Sequence, residues 1–573
     1  MRLSRDTLVS KITSFNEAAE ERDARRRAQA EGFPYLNLAE TAVDSAALLL
    51  LTEEEERQAK AIPIEAKKEK LTLAIYSSLR PELKELLGNL KTRGYEVNLV
   101  IASLKGLESL WARYLKEAKR LGLGKKPVTA EAALTKSILD AARTSAKTTT
   151  LATDFISSKK EGPTSQLVEA IFASALVLGA SDVHLEPHSE GGTSIRFRID
   201  GLLKDVNQVP AEIAERLTSR IKLFAKLKLN VTDSPQDGRF TVSGDEGEVE
   251  VRASVVPAEF GEAVVMRILD PRKIVLTLKD LGFRSDDEKV ITAALARPNG
   301  MVLVTGPTGS GKTTTLYAFL AKVKTPALKI ITVEDPIEYH LSGIEQTEVD
   351  LESGYTFVAG LRSILRQDPD IILVGEIRDL ETAETAIHAA LTGHLVFSTL
   401  HTNNASGAIP RLVDLGVKPG VIGPALIIVI AQRLVRRLCP YCREELKIEE
   451  PARIKIEEFL KSLPERVSGS ARSLRDAKIY EPGKGCNRCE EGYRGQVGIF
   501  ELFESGGGGT PLDLLMKEGA TESEIEQAAR KKGMVTMQED GVLKALQGVT
   551  SLEEVIRASG PIGWFESQKT AGT

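Results

Sequence analysis

Residues 301–316 read Met301-Val302-Leu303-Val304-Thr305-Gly306-Pro307-Thr308-Gly309-Ser310-Gly311-Lys312-Thr313-Thr314-Thr315-Leu316. The first five are apolar or β-branched and run straight into Gly-Pro, which predicts a short buried strand. Residues 306–313 fill the phosphate-loop pattern G-x-x-x-x-G-K-[ST] in full. A helix is expected over 313–324. Strand, Gly-rich loop and helix thus follow in the order that phosphate binding requires. The loop amides must point inward at the phosphates, glycine permits the backbone angles and the close approach, and the helix N-terminus adds its positive dipole end. Lys312 is placed to reach the β and γ phosphates, and the Thr313 hydroxyl to hold Mg²⁺. Gly306, Pro307, Thr308, Gly309, Ser310, Gly311, Lys312, Thr313 and Thr314 are therefore the candidate residues for ATP. The stretch implies a nucleotide-binding protein built on an α/β core.

Outward from that stretch, composition sets bounds. A chain of 573 residues calls for three or four domains. Hydrophobic residues at 42% and charged residues at 27% give an ordinary globular profile. Lys and Arg number 76 against 81 Asp and Glu, so nothing points to a nucleic-acid-coating or polybasic membrane protein. The first eleven residues are charged with no apolar stretch behind them, so no signal peptide is expected. The longest apolar run, residues 425–431, is far too short to span a bilayer. A cytoplasmic protein with no membrane span of its own is expected.

Residues 1–120 carry mixed signals: a charged helix at 14–29, an extended piece at 33–38, and strands at 71–76 and 97–102 flanking a helix at 81–92. They read as a docking domain without legible chemistry. Residues 121–163 read as a polar linker holding one helix at 130–143. Residues 164–273 form a second α/β domain. Thr164 and Ser165 are expected to cap a helix reaching about 178, followed by strands at 180–187 and 194–199, where Ile195, Phe197 and Ile199 alternate with Arg196 and Arg198. An Asp200-Gly201 turn, a helix over 211–229 and strands at 239–243, 249–255 and 263–268 complete it.

Residues 274–438 alternate strand and helix, the pattern of a parallel sheet. Further strands are expected at 329–333, 370–374 and 394–399, each ending in polar residues, where strand C-termini line a nucleotide crevice. The first is followed by Glu334-Asp335-Pro336-Ile337-Glu338. The second ends in Gly375-Glu376, with glycine where many phosphate-loop enzymes carry a Mg²⁺-binding aspartate, so Glu376 acts on the metal shell through water or on the attacking water itself. The third is bracketed by His394 and His401. Hydrolysis needs a carboxylate to orient water and a donor near the γ-phosphate. Glu334 or Glu338 suits the water and His401 the γ-phosphate. Taken singly, a histidine is more often structural and an acidic cluster more often a solvated loop; three such clusters behind a phosphate loop are the argument.

Cys439-Pro440-Tyr441-Cys442 and Cys486-Asn487-Arg488-Cys489 use every cysteine in two C-x-x-C pairs. In a cytoplasmic chain that spacing favours a structural tetrathiolate Zn²⁺ site over a disulfide, the alternatives being buried free thiols or a redox pair. Residues 439–505 form this element. Residues 506–573 follow as a helical region that opens with the glycine run 506–509 and carries a capping box at Thr521-Glu522-Ser523-Glu524.

The set resembles the secretion ATPase superfamily that powers type II secretion and type IV pilus assembly. Residues 306–313, 331–340, 370–379 and 391–403 match its Walker A, Asp box, Walker B and His box. The second domain matches through 180–187, Arg198-Ile199-Asp200-Gly201 and Gln236-Asp237-Gly238-Arg239; in the core, Asn404 stands where that family usually has Asp. The resemblance implies a RecA-like core preceded by a PAS-like domain and an N-terminal docking domain. It implies a homo-hexamer with ATP, Mg²⁺ and Zn²⁺ as its groups. Arginines of the second domain would reach a neighbouring subunit's phosphates, with Arg196, Arg198, Arg239, Arg252 and Arg267 as the candidates; strand arginines facing outward are otherwise solvated. It further implies recruitment to the inner face of the cytoplasmic membrane by an inner-membrane platform protein and other assembly-complex components. The cysteine set points to an assembly-type rather than a retraction-type motor. A RecA-like nucleic-acid translocase is the alternative from another class, and the acidic charge balance argues against it.

Overall fold

The computed structural model describes residues 19–39, 41, 43, 47–51, 53–67, 70–92, 95–120, 128–129, 148–244, 247–270, 276–448, 450–467, 474, 478–505, 520–563 and 565. The helix expected at 130–143 and the glycine run 506–509 lie outside these. The chain divides between Leu269 and Asp270 into two compact units.

The first unit begins with a three-stranded sheet, β1 (Ala61–Lys67), β2 (Lys70–Ile75) and β3 (Glu96–Ile101), with α1 (Pro81–Thr92) between the last two. β2 and β3 are parallel, as a crossover helix between them demands. β1, which pairs antiparallel with β2, was not foreseen. Its Ile-Pro-Ile-Glu-Ala lacks clean alternation, and Pro63 sits beside the register shift between Pro63 and Glu65. The charged N-terminal helix is not wholly solvated, for Ala24 and Ala28 are buried.

A seven-stranded sheet follows. Helix α2 (Thr148–Ser158), assigned to the linker from sequence, buries Ala152 and Ile156 in this domain's core. The next helix, α3 (Thr164–Val177), starts from Pro163, with no side-chain cap from Thr164 or Ser165. Pro pre-sets the angle at the helix entry and needs no cap of its own. The strands are β4 (Asp182–Pro187), β5 (Gly192–Ile199), β6 (Leu202–Pro210), β7 (Gln236–Gly244), β8 (Gly247–Ala258) and β9 (Gly261–Leu269), with α4 (Ala211–Phe224) after β6. Their order is β7-β8-β9-β4-β5-β6, each pair antiparallel, with Val128–Thr129 pairing in parallel on the β7 edge. Ile195, Phe197 and Ile199 are buried as the alternation predicts. β6 went unread because Leu202-Leu203-Lys204-Asp205 does not alternate. α4 ends five residues before the expected 229.

The second unit is organised on the phosphate-loop strand. Its principal elements are α5 (Ser285–Leu295), β10 (Gly300–Thr305), α6 (Lys312–Val323), β11 (Ile330–Glu334), β12 (Glu345–Glu348), α7 (Phe357–Ile364), β13 (Ile371–Val374), α8 (Leu380–Leu391), β14 (Leu395–Leu400), β15 (Leu426–Leu438), β16 (Tyr493–Glu504), α9 (Glu522–Lys531), α10 (Met537–Leu546) and α11 (Leu552–Ser559). The sheet runs β12-β11-β13-β14-β10-β15-β16. All neighbours are parallel except the last pair.

Every residue of β10, β11, β13 and β14 is buried, as a parallel sheet covered on both faces requires. Alternate residues feed two layers: Met301 and Leu303 pack with α8's Ala383, Ala386 and Ile387, while Val302 and Val304 pack with Leu316, Phe319 and Leu320 of α6. Each large side chain so buried contributes roughly 1.5–3 kcal/mol, which anchors the loop between β10 and α6 on both sides.

β15 is longer than the sheet needs. Its first half pairs with β10, from Met301 with Leu426 to Thr305 with Ala431. Its second half continues with β16 alone as a two-stranded ribbon ending at Cys439. The element drawn at 439–505 therefore lends residues 493–504 to the core sheet. Among the described residues no helix is long and apolar enough to cross a membrane.

Candidate functional site

The site lies where β10, β11, β13 and β14 end. After Thr305 the chain enters Gly306 at φ 148°. A Cβ there would stand 2.5 Å from the Gln432 carbonyl oxygen on β15, so only glycine lets the loop pass. Gly311 caps α6 at φ 86°, a left-handed position suited to glycine. The Lys312 ammonium donates to the carbonyls of Gly306 (2.9 Å) and Pro307 (3.1 Å). Burial lowers its pKa, and the Glu376 charge opposes that shift. Thr315 Oγ1 donates to Gln432 Oε1 at 2.7 Å, locking the first turn of α6 to β15.

Glu376 stands just past β13, and Gly375 N–H donates to the Val333 carbonyl at 2.8 Å. Its carboxylate pairs with Arg378 and lies 3.5 Å from His401 Nε2. Arg378 also reaches toward Asp335 at 3.8 Å. Glu376 and His401 thus meet across adjacent strand ends. Thr402 N–H donates to Thr305 Oγ1 at 2.8 Å, which draws the His401 loop onto the phosphate-loop strand.

Glu334 is buried at the end of β11. Its Oε1 accepts from Thr332 Oγ1 (2.6 Å) and Gln346 Nε2 (3.1 Å), and its Oε2 from Tyr317 Oη (2.5 Å). A carboxylate offers about four acceptor positions, and these three donors fill three of them. Burial pushes the Tyr317 hydroxyl's pKa up, and the Glu334 charge adds to it, so Tyr317 remains a donor. Glu338 lies four residues on and is partly buried. Tyr317, Gln346 and Gln432 were not picked out from the sequence. The available signal was a phenol or amide placed on an otherwise apolar buried face, where such a group must find a partner.

The four cysteine sulfurs all lie within 4.8 Å of one another. Cys439 and Cys486 are 3.8 Å apart, Cys486 and Cys489 3.6 Å, and Cys442 and Cys489 3.4 Å. A disulfide would need about 2.05 Å, whereas four thiolates about 2.3 Å from one tetrahedral zinc stand about 3.8 Å apart. The donor set therefore fits Zn²⁺. Burial raises the Cys442 and Cys489 thiols, with neighbouring thiols contributing, a crowding that a divalent cation relieves.

The five arginines lie in the first unit on one sheet. Strand register sets Arg239, Arg252, Arg267, Asp182 and Arg198 in one row, so their side chains share a face. Asp182 serves two of them, Arg267 at 3.1 Å and Arg198 at 3.4 Å. Arg196 is held by Glu186 at 3.0 Å and Asp205 at 2.9 Å. Arg252 lies 3.7 Å from Glu250, and Arg239 is exposed.

Residues 157–557 match the family described as type II/IV secretion system protein, and residues 31–121 match the MshEN domain. The chain is 44% identical over 409 residues to the type II secretion system protein E of Pseudomonas aeruginosa, covering 71% of this chain and 77% of that one. It is 42% identical over 404 residues to the type IV pilus assembly ATPase PilB of Myxococcus xanthus, covering 70% and 69%. Among solved structures, the Yersinia pseudotuberculosis ATPase DotB is similar with a TM-score of 0.50 at 20% identity, over 69% of this chain and 93% of that one. That likeness speaks to the fold alone.

Proposed function

The chain belongs to the type II/IV secretion system protein family, and from that premise we propose that it is a hexameric motor driving assembly of a type IV pilus or of a type II secretion pseudopilus. It is an ATPase of the secretion and pilus-assembly class. The observation that carries the reading is the meeting of Lys312, Glu376 and His401 at adjacent strand ends of one parallel sheet.

In this reading the 306–313 loop and the α6 N-terminus hold the phosphates, Lys312 turns from its loop carbonyls to the β and γ phosphates, and Thr313 with Glu376 holds Mg²⁺. When bound, Mg²⁺ would neutralise charge developing on the phosphate oxygens. Glu334, steadied by three donors and with one acceptor position left, orients the attacking water, and Glu338 lines the same crevice. His401 donates toward the γ-phosphate. Arg239 and Arg267, the more exposed of the arginine row, serve a neighbouring subunit's phosphates. The antiparallel second domain, with first and last strands β4 and β9 side by side, supports a PAS-like reading. The tetracysteine cluster supports zinc and the assembly side of the family. The protein works in the cytoplasm, recruited to the membrane's inner face by a platform protein and other assembly-complex components.

Two variants test this. Lys312→Ala is expected to lose nucleotide binding. Glu376→Gln is expected to bind ATP with near wild-type affinity while turnover falls about a hundredfold or more. Wild-type hydrolysis by Glu376→Gln would overturn the site.

A further inference from the structure

Glu501 is a buried carboxylate on β16, outside the machinery described above, and only 6% exposed. It stands opposite Ala431 of β15. Its two oxygens serve two segments far apart in sequence: Oε1 accepts from the Ala405 N–H at 2.8 Å, and Oε2 from the Met537 N–H at 3.3 Å. Ala405 lies in the 401–407 loop that begins at His401. Met537 is the first residue of α10, which Thr536 caps. The same loop is tied on its outer side, where Asn404 Nδ2 donates to Glu522 in the first turn of α9 at 2.7 Å and Asn404 Oδ1 accepts from Gly407 N–H at 2.8 Å.

A buried carboxylate is costly to keep. Here each oxygen is matched to a main-chain donor, a task that neutral glutamine cannot repeat, because its amide N–H₂ would face one of the two N–H groups. We propose that Glu501 is a positioning residue for hydrolysis: it fixes His401 relative to Glu376 by holding the 401–407 loop against the start of α10. The placement of His401 then follows the C-terminal helices, so that a displacement of α10 alters turnover. This rests on the reading that His401 serves the γ-phosphate.

The test is a double-mutant cycle on steady-state ATP turnover in the full-length assembled protein, with His401→Ala, Glu501→Gln and the pair. Glu501→Gln is expected to lower kcat about tenfold, the cost of one lost hydrogen bond to a buried carboxylate. KM for ATP should stay within about twofold. In the His401→Ala background the same change should cost nothing further, since there is no imidazole left to place. A purely structural defect would multiply unchanged through both backgrounds, and that result overturns the proposal, as does a wild-type kcat for Glu501→Gln. Wild-type kcat for His401→Ala alone would instead remove the site reading on which the proposal stands. Should Glu501→Gln fail to fold, Asn404→Ala at the surface loosens the same loop, and the same non-additivity with His401→Ala is expected; full additivity again overturns the proposal.

Discussion

Tyr317 shows how one side chain can matter to chemistry it does not perform. It lies on the buried face of α6, and its hydroxyl gives Glu334 one of three hydrogen bonds. Hydrogen bonds to charged groups are worth about 1.5–3 kcal/mol. Tyr317→Phe keeps the packing and removes only that donor. We expect kcat to fall about tenfold with ATP affinity unchanged, read by steady-state turnover beside equilibrium titration. An unchanged kcat would mean that Glu334 needs no help from α6. The candidate groups at the strand ends are legible from sequence because strand ends, glycines and carboxylates cluster locally. Tyr317 and Gln346 are not, because their meaning comes from Glu334 across the fold. Each looks locally like any helix or strand residue.

At the scale of elements, the same contrast recurs. β10, β11, β13 and β14 were readable as apolar, β-branched runs between loops. β12, Glu345-Gln346-Thr347-Glu348, was not, since an edge strand takes its place from the neighbouring backbone rather than from a side-chain pattern. β15 was noticed only as an apolar run, and its extension to the cysteines shows in pairing with β16 alone. That ribbon is clamped to the C-terminal helices: Arg436 N–H and its guanidinium donate to Glu554 of α11 at 2.9 and 2.8 Å, and Tyr493 Oη meets Ser551 Oγ at 2.8 Å. Removing zinc should therefore loosen the ribbon and α11 together. A chelator that strips about one zinc per chain is expected to lower the thermal midpoint by several degrees. A chain that never held metal, or whose midpoint is unmoved, would contradict the zinc assignment.

A second element-scale feature is a buried ion cluster where α5, β16 and α10 meet. Arg284 pairs with Asp286 (3.1 Å), Asp287 (2.7 Å) and Asp540 (2.6 Å), and Lys544 pairs with Asp540. Burial pushes Asp287 up to about 7, against the pull of Arg284 and Arg466. Its folded pKa thus lies above the ordinary carboxylate value near 3.9. The folded state keeps a proton that the unfolded chain has released, so this contribution is full below about pH 4 and is lost as the pH rises to about 7. Relative to Asp287→Asn, which cannot titrate, the wild type should lose about 2 kcal/mol of stability between about pH 5 and about pH 7, measured by denaturant unfolding. A constant difference across that range would refute the shift.

At the scale of the whole molecule, the proposed function makes the nucleotide crevice one half of a working site. The second unit supplies the phosphate loop, Glu334, Glu376 and His401. In the proposed function the arginine row of the first unit serves a phosphate of another subunit. Legibility at this scale came from the order of motifs along the chain, while the division into subunits left no mark in it. The most direct measurement is ATP turnover per chain followed across protein concentration, with the oligomeric state read on the same samples by light scattering. Monomers are expected to bind nucleotide yet turn over poorly, with turnover per chain rising steeply as hexamers form. Equal turnover per chain in monomer and ring would contradict it.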